Sequence, residues 1–393
     1  MKKLLLIVMT LFLLVACSGQ GGNNGGNEEG SGGNDVIVIG GSGPLSGPAA
    51  IYGNAVKNAA QIAVDEINAK GGQQYKLVFE DDEADPEKAV AAFNALVDAG
   101  MQVSIHCTTS GAGAAVSPLY KEANIFALTP SGSSPAVTLA NINDANSYYG
   151  NVFQVCFNDP NQGTGAADYI FNEKLGEKVA VIYQSDEAYS VGNYENFMNK
   201  ANQLGMEIVN VASFDSSNSQ DFSVQLTQAK DAGADLVFIP FYYNEISLLL
   251  AQANSMAYAP KFFAVDGLDG ILDLEGFDKA LAEGVYLLTP FSADSNDAQV
   301  QAFVKAYKAK HNETPNQFAA DAYDAVYALA QAIDASGMNA NNTPAEFCDA
   351  MVKQFTSMTF DGVTGTSKWS VNGQVSKSPM AAIIENGAYV SAK

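Results

Sequence analysis

Residues 105–111 read Ile-His-Cys-Thr-Thr-Ser-Gly, and residues 125–133 read Ile-Phe-Ala-Leu-Thr-Pro-Ser-Gly-Ser. Each stretch is a short apolar run that ends in a burst of small hydroxyl residues and glycine. The runs Val103–Ile105 and Ile125–Leu128 predict buried parallel strands. The first burst, Thr108-Thr109-Ser110-Gly111, leads into an Ala-rich segment expected to be helical. The second, Thr129 to Ser134, is bounded by Pro130 and Pro135. A strand end feeding a helix start presents free backbone N–H groups and the positive end of a helix dipole. Serine hydroxyls beside them add donors without bulk, which makes a place for a small anion such as a carboxylate. The plainer reading is that Ser110 and Ser133 merely cap helices. Two consecutive strands ending the same way weigh against it.

The same alternation runs outward in both directions. Val36–Ile39 and Tyr75–Phe79 read as strands, and 53–70 as a helix stopped by Gly71-Gly72. Asp85-Pro86-Glu87 is a helix start. A second series begins near Lys178, with strands at 179–183, 206–211 and 236–239 and helices at 191–204 and 221–232. The helix end Asp231-Ala232-Gly233 echoes Asp98-Ala99-Gly100. Further strands are expected at 261–265 and 285–288, helices at 297–310, 316–335 and 344–355, and a β tail from Lys368 with a turn at Asn372-Gly373. Repeated strand–helix units imply α/β architecture with parallel sheets covered by helices on both faces, and 393 residues suggest two lobes.

Composition excludes several functions. The chain carries 20 basic and 43 acidic residues, net charge −23, and every basic residue is lysine. That argues against binding a nucleic-acid backbone and removes the usual bidentate clamp for phosphate. The two histidines, His106 and His311, have no metal-like spacing, and a hydrolase triad would have to recruit one of them. Gly41-Ser42-Gly43-Pro44 follows a strand, but its spacing and Pro44 break the dinucleotide fingerprint. No cofactor is expected.

Residues 1–17 read as a targeting segment: Lys2-Lys3, then an apolar run too short to span a bilayer. The run ends in Leu14-Val15-Ala16-Cys17, which resembles the lipobox of bacterial lipoproteins. That resemblance implies cleavage before Cys17, lipidation of Cys17, and attachment to the outer face of the cytoplasmic membrane. Residues 18–34, rich in Gly and Asn with no apolar residue, read as a flexible linker. Of the remaining cysteines, Cys107, Cys156 and Cys348, the sequence leaves any pairing open, including Cys107 with Cys156.

Several motifs then converge: Gly43-Pro44-Leu45-Ser46-Gly47 with Tyr52-Gly53, Asp65-Glu66-Ile67-Asn68-Ala69-Lys70-Gly71-Gly72, Thr109-Ser110-Gly111, Thr129-Pro130-Ser131-Gly132-Ser133, Tyr189, Ala322-Tyr323-Asp324-Ala325, and Phe360-Asp361-Gly362-Val363-Thr364-Gly365. Over residues 35–393 the chain resembles the substrate-binding proteins of bacterial branched-chain amino acid (leucine/isoleucine/valine) ABC transporters, which have the type I periplasmic binding protein fold. The resemblance implies two similar lobes, 35–157 with 290–358 and 158–289 with 359–393. Three hinge crossings would join them near Phe157–Asp159, Thr289–Phe291 and Phe360–Val363.

It also implies that Ser110 and Ser133, with Thr109 and groups near Ser131, hold a ligand carboxylate. Asp266 would meet the ammonium from the second lobe, where the family often has Glu. Tyr52, Tyr189, Tyr242 and Phe318 would line the pocket. Without the resemblance, Asp266-Gly267 could be only a turn and the aromatic residues only core. Tyr323 and Asp324 read as structural. The expected function is a monomeric, lipid-anchored receptor that passes an amino acid to an ABC permease without chemistry of its own. An amide, urea-like or aromatic-acid ligand, or a sensor role, stays open, because a few pocket side chains change ligand class.

Overall fold

In the computed structural model, the structure describes residues 36–375, 377 and 379–392. The expected targeting segment and linker, with Cys17, lie outside the described residues. No helix among those described is long and apolar enough to cross a membrane.

Two sheets form the frame. The first has strands β1 (Val36–Gly43), β2 (Gln74–Asp81), β3 (Val103–Cys107), β4 (Phe126–Thr129) and β5 (Val152–Gln154) in the order β2-β1-β3-β4-β5. Every neighbour pair in it is parallel. Helices α1 (Ala50–Ala69), α2 (Pro86–Asp98) and α3 (Ser110–Ala123) connect the strands. The central strands are buried on both faces: Ile37, Ile39, Val103, Ile105, Phe126 and Leu128 on one, and Ser104, His106 and Ala127 on the other, are fully buried, as in a sheet covered on both sides.

The second series repeats the plan. Strands β6 (Lys178–Gln184), β7 (Glu207–Phe214), β8 (Leu236–Phe238), β9 (Lys261–Phe263) and β10 (Tyr286–Thr289) stand in the order β7-β6-β8-β9-β10, the same winding as the first sheet. Helices α4 (Asp159–Asn172), α5 (Ala188–Leu204), α6 (Ser223–Asp231) and α7 (Tyr243–Ser255) flank it. The echoed helix ends serve the same purpose twice: Gly100 and Gly233 take φ of 84° and 75° just past α2 and α6, the left-handed conformation that ends a helix at glycine.

The chain then returns to the first sheet. Helices α8 (Ala298–His311), α9 (Gln317–Ser336) and α10 (Pro344–Phe355) follow β10; α8 and α9 pack on α1, and α10 packs on α9 and β4. Next comes the antiparallel hairpin β11 (Thr359–Gly362) and β12 (Gly365–Lys368). Finally β13 (Met380–Glu385) and β14 (Ala388–Ser391) extend the second sheet antiparallel from β10.

The tail differs from the sequence reading in one respect. Residues 359–393 were expected wholly with the second lobe. The stretch through Val375 instead stays on the first: Trp369 Nε1 donates to Gln154 O at 2.6 Å, and its ring meets Phe355 at 4.7 Å. Only an isolated bridge, Trp369 to Val375, stands where a strand pair was expected. Cys107, Cys156 and Cys348 are all free and buried.

The segment between α9 and β13 is held by buried charge. The Asp324 carboxylate accepts from Val363 N at 2.8 Å, Thr364 N at 2.9 Å and Thr364 Oγ1 at 2.5 Å. A Cβ at Gly362 would come within 2.4 Å of that carboxylate, so only glycine fits. One turn earlier on α9, Asp321 pairs with Lys377 at 2.8 Å, both side chains being almost fully buried. Truncating one side of such an arrangement strands buried donors. Asp324→Ala is expected to lower unfolding stability by roughly 2–4 kcal/mol. Urea melts that superimpose on the unsubstituted protein would remove this role.

Candidate functional site

The ends of β3 and β4 are knitted together by their own hydroxyls. Thr129 Oγ1 donates to Cys107 O and accepts from Gly132 N, both at 2.8 Å. Ser131 Oγ donates to Thr108 O at 2.5 Å, and Ser110 Oγ accepts from Ser134 N at 3.1 Å. Gln154 Nε2, from β5, donates to Gly132 O and Ser134 O. These bonds fix the backbone of both bursts. Neither Ser110 nor Ser133 is a simple helix cap: Thr109 occupies the cap position of α3 without a side-chain bond, and Ser134 caps the short turn 135–137. The Thr109 hydroxyl is buried and has no hydrogen-bond partner in the protein.

Tyr52 enters from the first turns of α1. A Cβ at Gly53 would come within 2.1 Å of Pro44 O, so this glycine lets α1 lie against the end of β1 and sets where Tyr52 points. Tyr52 reaches the second lobe, where its hydroxyl donates to Gly267 O at 2.5 Å and accepts from Tyr243 N at 3.3 Å. Phe318, in the first turn of α9, packs on the Tyr52 ring at 4.2 Å.

The second lobe supplies acids and further rings. Asp266 follows β9 at the start of a single 3-10 turn. Its carboxylate accepts from Gln162 Nε2 at 2.8 Å, and its backbone carbonyl accepts from Gln317 Nε2 at 3.0 Å. Burial pushes the Asp266 carboxyl up to about 7, against the opposing hydrogen bonds of Tyr189 and Gln162. Tyr189 accepts from Gly267 N at 2.8 Å and stacks on Tyr242 at 5.2 Å. Glu187 caps α5 by accepting from Ser190 N at 2.9 Å, and it also accepts from the Tyr242 hydroxyl at 3.3 Å. Burial raises Glu187 to about 7 as well.

Asp159, the first residue of α4, is fully buried, and neither of its carboxyl oxygens has a well-formed hydrogen bond in the protein. Burial holds its carboxyl well above the usual range, a rise the Ser133 hydroxyl partly offsets. Its backbone N–H donates to Ser133 O at 3.1 Å, tying the first crossing to the second burst.

One cavity is lined by Tyr52, Thr109, Ser110, Ser131, Ser133, Tyr189, Tyr242, Asp266 and Phe318, together with Thr108 and Gly267. All nine candidate residues thus meet at one place. Its free volume is about 10 Å³, room for about one water. Anything larger enters only if the lobes part or the rings turn, and the Tyr52 bonds to Gly267 and Tyr243 are among those that must yield. Neutral hydroxyls and amides face it from the first lobe and a carboxyl from the second, an arrangement that can hold a small molecule by opposite ends.

Sequence reasoning did not single out Glu187 or Asp159 as site residues. A cap position before Tyr189 and the Asn158-Asp159-Pro160 helix start were visible, but neither signals a buried acid. His106 cannot serve as a base. It is buried in the first lobe beside Ser117 Oγ, at 3.2 Å, and burial lowers it to about 3. Among the described residues no group of three His, Cys, Asp or Glu is placed to hold a metal.

Known proteins share this fold. The family model described as periplasmic binding protein matches residues 36–386. The chain is similar to Leu/Ile/Val-binding protein homolog 3 of Brucella melitensis, 31% identical over 302 residues, covering 76% of this chain and 79% of that one. Among solved structures it is similar to the leucine-binding protein LivK of Thermotoga maritima, at TM-score 0.80 and 27% identity, covering 91% of this chain and 98% of that one. It is similar also to the branched-chain amino acid transporter substrate-binding protein LivJ of Streptococcus pneumoniae in complex with isoleucine, at TM-score 0.80 and 28% identity, covering 91% and 99%. With β–α order, sheet winding and matched span in agreement, the chain belongs to the periplasmic binding protein family and has its type I fold.

Proposed function

We propose that this protein is an extracellular receptor that captures an apolar amino acid between its lobes and delivers it to an ABC permease. The observation that carries the proposal is the polarity of the cavity: Ser110 and Ser133 on one wall, Asp266 on the other, and four aromatic rings between. A zwitterion satisfies both walls at once. Its carboxylate takes donors from Ser110, Ser133 and the amides of the two bursts, with Thr109 and Ser131 beside them. Its ammonium takes Asp266. Tyr52, Tyr189, Tyr242 and Phe318 enclose the side chain.

A buried charge without a partner is costly, so each end of the ligand needs its own lobe, and the ligand stabilises the arrangement in which both are near. The relatives named above, one of them solved with isoleucine, support a branched-chain ligand. The lipobox-like Leu14-Val15-Ala16-Cys17 supports anchoring through lipidated Cys17, with residues 18–34 as tether. The receptor binds and releases as a monomer, and no bond in its ligand is made or broken.

Native mass spectrometry of freshly purified protein tests the ligand class. The expected adduct has the mass of leucine, isoleucine or valine, and an adduct without a carboxylate would sink the assignment. Asp266→Ala is expected to weaken amino-acid binding by roughly 2–5 kcal/mol, as for one side of a buried charge pair. Isothermal titration giving unchanged affinity would reject Asp266 as the ammonium's partner.

The pH dependence follows from burial. Asp266 must be ionised to hold an ammonium, yet its carboxyl in the protein alone sits at about 7. Asp321 from α9, Asp269 in the same turn and Asp159 from α4 are the acids that act on it, and Gln162 and Tyr189 are its hydrogen-bond donors. Affinity should therefore level off above about pH 8, until the ligand's own ammonium begins to lose its proton. Below about pH 7, affinity should fall by up to about tenfold per unit, because the ligand must displace a proton. Titrations at pH 8 and pH 6 with equal affinity would contradict the sign.

A further inference from the structure

A second and larger cavity lies beside the Thr289–Phe291 crossing, with a free volume of about 600 Å³, the size of a small-molecule site. Both lobes build it. The second lobe gives the ends of β10 and β13–β14 and the turn after β9. The first gives α8 and the segment 314–316 that leads into α9. Its walls mix apolar surface from Leu272, Phe291 and Tyr389 with charged groups.

The placement of those charges decides the occupant. Asp269 is 5% exposed and is the charged side chain buried in this wall, whereas Asp273 beside it is exposed. Lys279, Lys308 and Asp294 are exposed at the rim. The charge in the depth of the cavity is therefore negative. Burial raises the Asp269 carboxyl to about 7; at Asp273 burial and then Glu313 raise it, and Lys279 only partly offsets the rise. The remaining deep polar groups are occupied: Thr289 Oγ1 bonds to Phe291 N and O, and Asn316 caps α9.

We propose that this cavity is a second binding site, for a small organic cation: an amine whose charge faces Asp269 and Asp273 and whose short apolar body lies on Leu272, Phe291 and Tyr389. Aromatic faces near a cation favour it further. The wall between the two cavities is thin and hydrogen-bonded. Gln317 N donates to Asp269 Oδ2 at 2.9 Å, while Gln317 Nε2 donates to Asp266 O at 3.0 Å. Tyr389 OH accepts from Gly270 N at 3.0 Å in the same turn. A cation that keeps Asp269 ionised strengthens its bond from Gln317 and steadies the residue presenting Asp266. The two sites are then coupled, and coupling is reciprocal. That coupling rests on the amino-acid reading of the first cavity; the second site itself does not.

The test is calorimetric titration of the full chain with n-butylamine at pH 8 and low salt, using the Asp266→Ala variant so that the first cavity loses the acid that lines it. Saturable one-to-one binding is expected, weakened at least tenfold by Asp273→Asn and abolished by Ala388→Trp, which fills the cavity from its exposed edge. Butyrate, of similar shape and opposite charge, should give no saturable heat. No saturable binding of the amine, equal binding of butyrate, or binding indifferent to both substitutions would overturn the proposal, whatever the first cavity holds. Either substitution suffices if the other fails to fold.

Discussion

The second lobe's wall of the cleft buries carboxyl groups with no cation of its own to balance them. Asp159, Glu187 and Asp266 are each pushed upward chiefly by burial. The chain has no arginine, and the buried lysine among the described residues, Lys377, is committed to Asp321. Two remedies exist for such a wall: a proton on the acid, or a positive charge carried in from outside. The facing wall offers only neutral hydroxyls and amides. Under the proposed function, this asymmetry would orient a zwitterion before any side-chain contact is counted, and the binding energy at its positive end would be available only when the second lobe is near.

Helix α9 carries that asymmetry into the frame. Gln317, Phe318, Asp321 and Asp324 fall at spacings that place them along one face. The first turn holds the backbone of Asp266 and packs on Tyr52. The next binds Lys377, and the one after fastens Val363 and Thr364. A rigid helix of 20 residues therefore reports on the cleft at one end and grips the third crossing further along. The groups that would move with the lobes and the groups that would touch a ligand hang from the same rod.

Much of this was legible in the chain because the signals are local. Asp85 caps α2 by accepting from Glu87 N and Lys88 N, and the Asp-Ala-Gly helix ends recur with the glycines left-handed. The hydroxyl bursts sit at strand ends, as the apolar runs before them required. What was not legible lacks a local signature. Strand β5 is three residues long, too short for periodicity to show. Helix α7 follows Tyr242, a cap position that makes no side-chain bond. The Trp369 segment reads as a strand by composition, but its indole N–H bonds to Gln154 O across 215 residues, and no window of sequence contains both. The acidity of the wall is hidden for the same reason: Asp159, Glu187 and Asp266 are far apart in the chain and become neighbours only when α4, α5 and the turn after β9 converge.

The two sheets share one winding, and in such folds ligands sit beyond the carboxyl ends of the strands. Repetition of the plan gives two such edges facing each other, which by itself makes a clamshell without a preference. Had both edges kept the hydroxyl bursts of β3 and β4, the cleft would suit two negative ends; had both carried acids, two positive ones. Here the β3 and β4 ends carry Thr109, Ser110, Ser131 and Ser133, while the β9 end carries Asp266 and the loop after β6 carries Glu187. The fold supplies the opposition of the two edges, and the divergence of a few side chains at their tips turns that opposition into a charge complement. The proposed preference for a molecule with one charge of each sign would thus be a property of neither lobe alone.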